Sequence, residues 1–311
     1  MDTPTRLSAA GGATARLTHW GLIRAEGPDA VAFLQGQLTN DVATLAPGQW
    51  RLAGFCSAKG RLQASFVIWK TAPDALLLAC ASSVLPATLK RLGMFILRSK
   101  CKLVDASAEL ALYGSTGEAA SAAFGELAPG EALDRDGTQV LRLPDVDDIP
   151  RAFVAAPAAR APDAALPLED WRWLEVRSGL PLIEAATVDR FVPQMLNYEL
   201  IGGVDFRKGC YPGQEVVARS QYRGTIKRRM FLFECGALAV AGQDVFHDSD
   251  PEQPAGMVVN AAAREGHGAA LVEVKLAALG SGRLHLGSPD GEVLRLATLP
   301  YPVPSEAGEI S

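Results

Sequence analysis

Eight consecutive residues, 208–215 (KGCYPGQE), restrict this chain more than any other stretch, because a thiol, two glycines, a proline and flanking charge cannot all be buried in a core. Arg207 and Lys208 precede Cys210, and positive charge beside a thiol favours the reactive thiolate. Pro212 suits the first position of a helix, whose open N–H groups would point back toward the sulfur. The stretch therefore predicts an exposed, activated Cys210 beside a helix N-terminus.

The composition is that of a folded, soluble protein. Of 311 residues, 48% are hydrophobic and 21% are charged, and the formal net charge is −5. General nucleic-acid and membrane-surface binders usually carry a basic excess, so we expect neither direct DNA binding nor membrane association. The first residues, MDTP, lack the charged-then-apolar order of a signal peptide, and no stretch approaches the ~20 apolar residues of a membrane span. A cytoplasmic location is expected.

The five cysteines are widely spaced, without a C-x-x-C pair or histidines in a metal-ligand pattern. Neither a disulfide framework nor a metal site is predicted. Cys80, inside the apolar run 75–81, is interpreted as a small buried residue, and so are Cys56 and Cys235. Cys210 differs by its charged, glycine-rich surroundings, although an inert buried thiol remains an alternative for it.

The N-terminal part, at about 15–105, predicts an α+β subdomain. Apolar residues alternate in some runs and recur at helical spacing in others. The predicted order is strand, helix, strand, strand, strand, helix and strand, at 20–25, 28–38, 50–56, 61–70, 75–81, 85–95 and 100–104. This order predicts a largely antiparallel sheet with helices on one face.

A second subdomain is predicted at about 106–225, and a third region at 226–311. In the second, strands at 141–143 and 152–154 are expected to continue the sheet, and the amphipathic segment 168–177 predicts a helix. Residues 189–203 predict a long loop with at most one short helix, leading into 208–215. Beyond 226, short apolar runs between glycine-rich turns predict a small all-β domain.

On these residues the chain resembles the YgfZ family of folate-binding proteins, within the superfamily of the glycine-cleavage T-protein. The family signature KGCYxGQE is present without a gap at 208–215. Further matching segments are FLQGQLTNDV (33–42), AKGR (58–61), FVPQ (191–194), GG (202–203), VAR (217–219), YRG (222–224) and KR (227–228). The similarity runs from about Trp20 to the C-terminal end and is thin between 105 and 167.

The resemblance implies a T-protein-like, tetrahydrofolate-binding α+β region around a central channel at 1–225, followed by a small antiparallel β-barrel at 226–311. It also implies an accessory role in the assembly or repair of iron-sulfur enzymes, including tRNA-modifying ones such as methylthiotransferases. Cys210 would be a functional thiol at the folate site, available for thiol exchange or for contact with a cluster or client. Clusters are usually held by several cysteines, so stable cluster binding is not expected.

The resemblance further implies which residues bind tetrahydrofolate or a folate derivative. Two family tryptophans contact the folate, and by local pattern they match Trp20 and Trp171. A flat pterin gains dispersion and stacking against an indole, although both residues also suit a core. The remaining candidates lie in or near the signature: Lys208, Tyr211, Gln214, Glu215, Arg223 and Arg228. Lys227, Arg228 and Arg229 are interpreted either as a basic turn for the folate glutamate tail or an acidic partner, or as a solvated surface run.

Two enzymatic alternatives stay open. The related aminomethyltransferase carries paired aspartates after an early turn, and Ala64 and Ser65 stand at those positions here. Neither side chain relays a proton as a carboxylate does, which disfavours this reaction. The second alternative is a thiol enzyme with Cys210 as nucleophile, and this chemistry needs a base, usually histidine, that the sequence does not identify.

Overall fold

The computed structural model of the 311-residue chain describes residues 12–224, 226–236, 239–305 and 308–310. Residues 1–11, at the start of the predicted folate-binding region, and Thr225, at its end, lie outside the described residues. The described part contains two five-stranded sheets, a closed six-stranded barrel and a terminal two-stranded sheet. The predicted class, α+β with a small antiparallel β-barrel toward the C-terminus, is confirmed.

The regular elements follow one another in a fixed order along the chain. The strands are β1 (Thr14–Arg16), β2 (Trp20–Glu26), β3 (Trp50–Cys56), β4 (Leu62–Ala72), β5 (Ala75–Ala81), β6 (Lys102–Asp105), β7 (Leu110–Thr116), β8 (Ala132–Arg135), β9 (Thr138–Val146), β10 (Ile149–Pro157), β11 (Arg228–Cys235), β12 (Asp244–His247), β13 (Gly256–Arg264), β14 (His267–Lys275), β15 (Leu284–Leu286), β16 (Val293–Ala297), β17 (Val303–Ser305) and β18 (Gly308–Ile310). The α-helices are α1 (Ala30–Gln35), α2 (Leu85–Gly93), α3 (Gly117–Phe124), α4 (Leu168–Arg177) and α5 (Gln214–Tyr222). Short 3-10 helices are Ala158–Arg160, Ala185–Thr187, Pro193–Leu196 and Leu276–Leu279.

The first sheet has the strand order β3-β4-β5-β2-β6 and is antiparallel throughout, as predicted. Side chains alternate between its two faces because successive residues of a strand point in opposite directions. Ile23 of β2 packs with Phe33 of α1 and Leu85 of α2. Its neighbour Leu22 packs instead with Phe153 of the second sheet. The helices therefore cover one face of this sheet, and the second sheet covers the other.

The second sheet has the order β1-β7-β10-β9-β8, and the predicted strands 141–143 and 152–154 lie in β9 and β10. The expectation that they continue the first sheet is wrong. They pair with each other across a tight turn in which Asp147 and Asp148 both adopt positive φ, and β7 and β1 then complete a separate sheet. Because the turn is this tight, β9 and β10 pair with each other as a hairpin.

Helix α4 (Leu168–Arg177) has the predicted bounds and lies between the sheets and the barrel. Its Trp171 packs with residues of both sheets. Trp173 and Leu174 pack with the barrel core, on the other side of the helix. The helix ends before Gly179, whose φ of +69° is the left-handed conformation that favours glycine. Because both sides of α4 are buried, the helix joins the two halves of the molecule.

The barrel closes in the order β11-β14-β13-β12-β15-β16, with β16 pairing back to β11. The connection from α4 to the barrel contains one short helix within 189–203, Pro193–Leu196, as predicted. Two contacts fix this connection to Thr39, in the loop between α1 and β3: the Asp205 N–H donates to the Thr39 carbonyl (3.0 Å), and the Thr39 hydroxyl donates to the Gly203 carbonyl (2.6 Å). The Thr39 N–H in turn donates to the Gly54 carbonyl of β3 (2.9 Å). The chain thereby carries residues 208–215 to the first sheet. No described helix is long and apolar enough to cross a membrane.

Candidate functional site

A small apolar cavity of about 60 Å³, called the inner chamber, lies where the two sheets, α4 and the barrel meet. Aromatic side chains from four regular elements line it, namely Trp20 of β2, Phe66 of β4, Phe153 of β10 and Trp171 of α4, together with Tyr198 from the connection between α4 and the barrel. Trp20 and Phe153 meet edge to face, with ring centroids 5.2 Å apart. An aromatic enclosure of this kind suits a flat, apolar ring.

A larger cavity of about 840 Å³, the outer chamber, adjoins the inner one. Leu52, Arg151, Ser178 and Leu180 line both chambers. The charged lining of the outer chamber is mixed in sign and consists of Asp41, Arg51, Asp145, Arg151, Asp205 and Arg207. Small-molecule sites are commonly ~300–1,000 Å³ with mainly apolar walls and a few placed polar groups. The two chambers together have that character.

Glu175 lines the inner chamber, and its carboxylate is held by Trp20, at the start of β2, and by His19, just before it. Trp20 donates Nε1–H to Glu175 Oε1 (2.7 Å), and His19 Nε2 lies 2.7 Å from Oε2. Burial raises the pKa of Glu175. The charge of His19 and the hydrogen bonds that Glu175 accepts lower this pKa by more, so the net shift is downward. The group is therefore an ionised carboxylate inside an aromatic cavity.

Arg151 lies between the two chambers and is almost fully buried. Its guanidinium donates to the Pro144 carbonyl from Nε (3.2 Å) and Nη2 (3.1 Å), and to the Leu174 carbonyl from Nη1 (3.4 Å). Burial lowers the pKa of Arg151 to about 10, and the nearby carboxylate of Glu175 opposes this shift. Arg151 therefore remains a cation at neutral pH, and three of its five N–H groups donate to backbone carbonyls.

Trp171 fits both interpretations made from the sequence, since it lines the inner chamber and is also a core residue. Its side chain is fully buried and lies directly on the backbone of Gly114. A Cβ added to Gly114 would lie 2.3 Å from Cδ2 of the indole. The position of this ring therefore depends on a glycine in β7.

Lys208 fixes the signature to the end of α1. Its Nζ donates to the carbonyls of Gln35 and Leu38, both at 2.5 Å, where the helix has no further N–H to satisfy them. Burial lowers the pKa of Lys208 to about 8, opposed by Asp41. Helix α1 ends at Gln35, before the predicted end at 38. In this structure, Lys208 acts as a cap for α1.

The signature also contacts the turn between β3 and β4, so the two segments singled out by the sequence lie together. Gly213 adopts a φ of +79°, and a Cβ there would lie 2.4 Å from the Ser57 carbonyl oxygen and 2.7 Å from Gly60 Cα. Helix α5 begins after this glycine, at Gln214. The expectation that Pro212 takes the first helical position is therefore wrong, because the chain must first turn against Gly60.

Cys210 is exposed, as predicted, and the Arg207 side chain reaches the outer chamber. Within the described part of the chain, Cys210 lies outside the lining of both chambers. Cys56, Cys80 and Cys235 are buried, in agreement with the sequence, and burial raises the pKa of each thiol. Cys210 is thus the accessible thiol of the signature, three residues after Arg207, which lines the outer chamber.

Three of the four histidines make side-chain contacts that do not involve Cys210. His19 contacts Glu175, His247 contacts Ser249, and His285 contacts Asp248, each through a ring nitrogen at 2.6–2.7 Å. Among the described residues, no group of three or more His, Cys, Asp or Glu side chains is arranged to hold a metal ion. These contacts give no support to a base for Cys210.

The other predicted folate residues lie in two places, beside Lys208 and along α5. Tyr211 is buried, with its ring centroid 5.1 Å from Lys208 Nζ, and burial raises its pKa. Gln214 begins α5, and Glu215, also on α5, pairs with Arg219 (2.6 Å) at the surface. Arg223 is exposed at the end of the same helix. Within the described residues, these side chains lie outside the lining of both chambers.

Two of the three cationic side chains of the basic turn at 227–229 form ion pairs. Arg228 donates to both oxygens of the buried Glu273 carboxylate in β14. Arg229 and Glu199 are both nearly inaccessible and pair at 2.5 Å. Lys227 is exposed. Two of the three cations expected to receive a glutamate tail are therefore used in ion pairs, Arg228 within the barrel and Arg229 between the barrel and the connection that precedes it.

Comparison with known proteins agrees with this architecture and with the signature. The GCVT N-terminal domain family matches residues 12–151. The tRNA-modifying protein YgfZ of Edwardsiella ictaluri is 35% identical over 234 residues, which is 70% of this chain and 69% of that protein. The corresponding protein of Photorhabdus laumondii is 34% identical over 245 residues, 74% of this chain and 73% of its own length. The chain belongs to the YgfZ family.

The aminomethyltransferase T of the glycine cleavage system from Bartonella henselae shares the fold of this YgfZ family member. Its structure aligns over 93% of this chain and 86% of its own, with a TM-score of 0.74 and 18% identity. This likeness confirms the predicted T-protein-like fold. Ala64 and Ser65 stand at the two positions where paired aspartates were expected for an aminomethyltransferase. Ala64 is buried under the helices of the first sheet, and Ser65 lines the inner chamber. The Ser65 hydroxyl accepts the Ile183 N–H (2.9 Å).

Sequence reasoning missed Glu175 and Arg151 in this YgfZ family member. Charged residues within apolar segments are usually exposed, so neither residue drew attention. A signal was available for Glu175, because it follows Trp171 by four residues on a helix and therefore shares its face. Arg151 lies in a strand whose neighbouring residues are all apolar, and only its contacts reveal its place between the chambers.

Proposed function

We propose that this protein binds tetrahydrofolate, or a folate derivative, in the inner and outer chambers and serves iron-sulfur enzymes in the cytoplasm as an accessory protein. The observation that carries the folate part is the inner chamber, where Trp20 and Trp171 surround a space that also contains the ionised carboxylate of Glu175. Aromatic walls suit the flat pterin and benzoyl rings. The mixed charges of the outer chamber suit the polar remainder of such a ligand.

The accessory role is supported by the signature and by the residues at the paired-acid positions. Its clients would include tRNA-modifying enzymes, in keeping with relatives that are tRNA-modifying proteins YgfZ. Ala64 and Ser65 provide no carboxylate for aminomethyl transfer. Cys210, the exposed thiol of the signature, is the group through which client or cluster contact would occur.

Replacing Trp20 with alanine is expected to weaken tetrahydrofolate binding by about 10-fold or more, because a stacking surface and the donor to Glu175 are both lost. Isothermal calorimetry on the two proteins measures this change. Tyr222, an exposed aromatic residue on α5, gives the control variant Tyr222→Ala, which should bind like wild type. Trp171→Ala is a poorer choice, because removing a fully buried indole costs ~3–5 kcal/mol of stability. Equal affinity of Trp20→Ala and wild type would contradict the folate site.

Replacing Cys210 with serine is expected to abolish the accessory function while leaving folate affinity unchanged, because the thiol lies outside both chambers. The measurement is complementation of a strain that lacks the gene, read as tRNA thiolation and iron-sulfur enzyme activity. Cys101→Ser is the matched control, since Cys101 is partly exposed and belongs to a different surface. Full rescue by Cys210→Ser would leave the thiol without a role.

A further inference from the structure

The segment that follows α2 is anchored on one side and open to solvent on the other. Leu92 is buried, and Ile96 packs against the same core under the helices of the first sheet. Between and after these anchors, three apolar side chains face solvent: Met94 is 59% exposed, Phe95 38% and Leu97 86%. Single exposed apolar residues are normal on a protein surface, whereas neighbouring ones mark interaction sites. These three side chains, called the α2 tip, are therefore a candidate contact surface.

Positive charge surrounds the α2 tip. Residues 90–102 (KRLGMFILRSKCK) contain five cationic side chains and no acidic one, in a chain whose net charge is −5. Within the described residues, four of these cations are exposed and have no carboxylate partner: Lys90, Arg91, Arg98 and Lys100. Complementary surfaces set positive charge against negative charge. A partner of the α2 tip therefore carries acidic groups around an apolar contact.

The residue types of the tip favour a protein over a nucleic acid. An unpaired base stacks on an open aromatic ring, but Arg91 already lies over the Phe95 ring, 5.2 Å from its centroid. The two most exposed side chains, Leu97 and Met94, are aliphatic and gain little from phosphate groups. Methionine, phenylalanine and arginine are enriched where proteins bind one another.

The position of the tip also favours a protein. The N–H of Lys100, three residues beyond the tip, donates to Asp29 Oδ2 (2.7 Å), and Asp29 directly precedes α1. At the other end of α1, Lys208 of the signature donates to two carbonyls. The helix spans only about 9 Å, whereas an interface covers about 800 Å² of each partner. One protein can therefore contact both the tip and the signature with Cys210, a thiol for which a phospholipid surface has no partner.

We propose that the α2 tip docks a protein whose surface presents carboxylates around an apolar pocket. Leu97, the most exposed side chain of the tip, enters that pocket, and the four surrounding cations face the carboxylates. This inference rests on the proposed accessory function, because the docked protein is the client that Cys210 contacts. A desolvated apolar centre supplies most of the affinity of such an interface, and its charged rim speeds association and selects the partner.

The first test removes the apolar tip without touching the folate site. The double variant Met94→Ser with Leu97→Ser should lower tRNA thiolation at least 10-fold when it replaces wild type in a strain that lacks the gene. Its tetrahydrofolate affinity and Tm should match those of wild type, because both side chains are exposed. Leu296→Ser is the matched control, since Leu296 is a half-exposed leucine on β16, and it should rescue fully.

The outcomes of this test separate the docking surface from the accessory function. Full rescue by the double variant overturns the docking surface and leaves the accessory function standing. If wild type itself fails to rescue, the accessory function is wrong, and the docking of a client is wrong with it.

The second test identifies the class of partner. Benzoylphenylalanine placed at position 97 of the full chain should crosslink to a protein in cells, and Lys90→Glu with Arg98→Glu should reduce that crosslink about 10-fold, because like charges then meet. A crosslink that survives this charge reversal contradicts an acidic partner. Purified wild type is also mixed with vesicles of equal parts phosphatidylcholine and phosphatidylglycerol, and with bulk tRNA, and should bind neither. Binding to either one that is lost in the double variant assigns the tip to lipid or RNA and overturns the proposal.

Discussion

Replacing Gly213 with alanine is expected to lower the free energy of unfolding by about 2–4 kcal/mol. Two costs add at this position. The left-handed backbone conformation, with φ at +79°, is unfavourable for any residue with a Cβ. The new methyl group would also lie 2.4 Å from the Ser57 carbonyl oxygen and 2.7 Å from Gly60 Cα. Backbone atoms cannot move aside as a flexible side chain can, so the signature would separate from the β3–β4 turn.

The same signature provides a matched control in Gly209. A Cβ at Gly209 meets no heavy atom within 4 Å, and its φ lies outside the left-handed region. Gly209→Ala should therefore change stability by less than about 0.5 kcal/mol. Urea denaturation followed by circular dichroism measures both variants. If the two substitutions cost the same, the signature is not held against the turn at Gly60.

The sequence predicted best those elements whose signals are local. Helix α4 has the predicted bounds because apolar residues recur at helical spacing and Gly179 ends the pattern in a conformation that favours glycine. The strands of the first sheet were found because each is a short apolar run bounded by turn residues. The separate second sheet was not predicted, because its edge strand β1 pairs with β7, about a hundred residues away, for example Thr14 with Ser115. Local patterns do not encode such a distant partner.

The residues of the candidate site also divide into those expected from the sequence and those that only the fold brings together. The family resemblance implied Trp20 and Trp171, and both line the inner chamber. Lys208 was expected to act on Cys210, yet its ammonium reaches the end of α1, because burial of its long side chain requires acceptors that only the fold supplies. Glu175 was missed for a related reason. Its place in the inner chamber depends on the contact with His19, far away in sequence, and on the aromatic side chains around it.

Replacing Arg229 with methionine is expected to lower the free energy of unfolding by about 3–5 kcal/mol, because it leaves a buried carboxylate without its counter-charge. Arg229 Nη1 lies 2.5 Å from Glu199 Oε1, and both side chains are only 5–6% exposed. The same nitrogen also donates to the Gln194 carbonyl (3.2 Å) and lies 3.4 Å from Asn197 Oδ1. These contacts join barrel strand β11 to the connection that carries the signature.

Two comparisons assign that loss to the unpaired charge. Arg219→Met breaks an exposed pair with Glu215 and should cost less than about 0.5 kcal/mol, because water replaces the partner. The double variant Arg229→Met with Glu199→Met removes both buried charges and should recover much of the stability lost in the single variant, since two apolar side chains of similar size need no partner. Burial already raises the pKa of Glu199, and Arg229 opposes that shift, so the carboxylate depends on this arginine to stay ionised. A double variant as unstable as Arg229→Met would show instead that the lost packing and backbone contacts of Arg229, rather than the stranded charge of Glu199, set the cost.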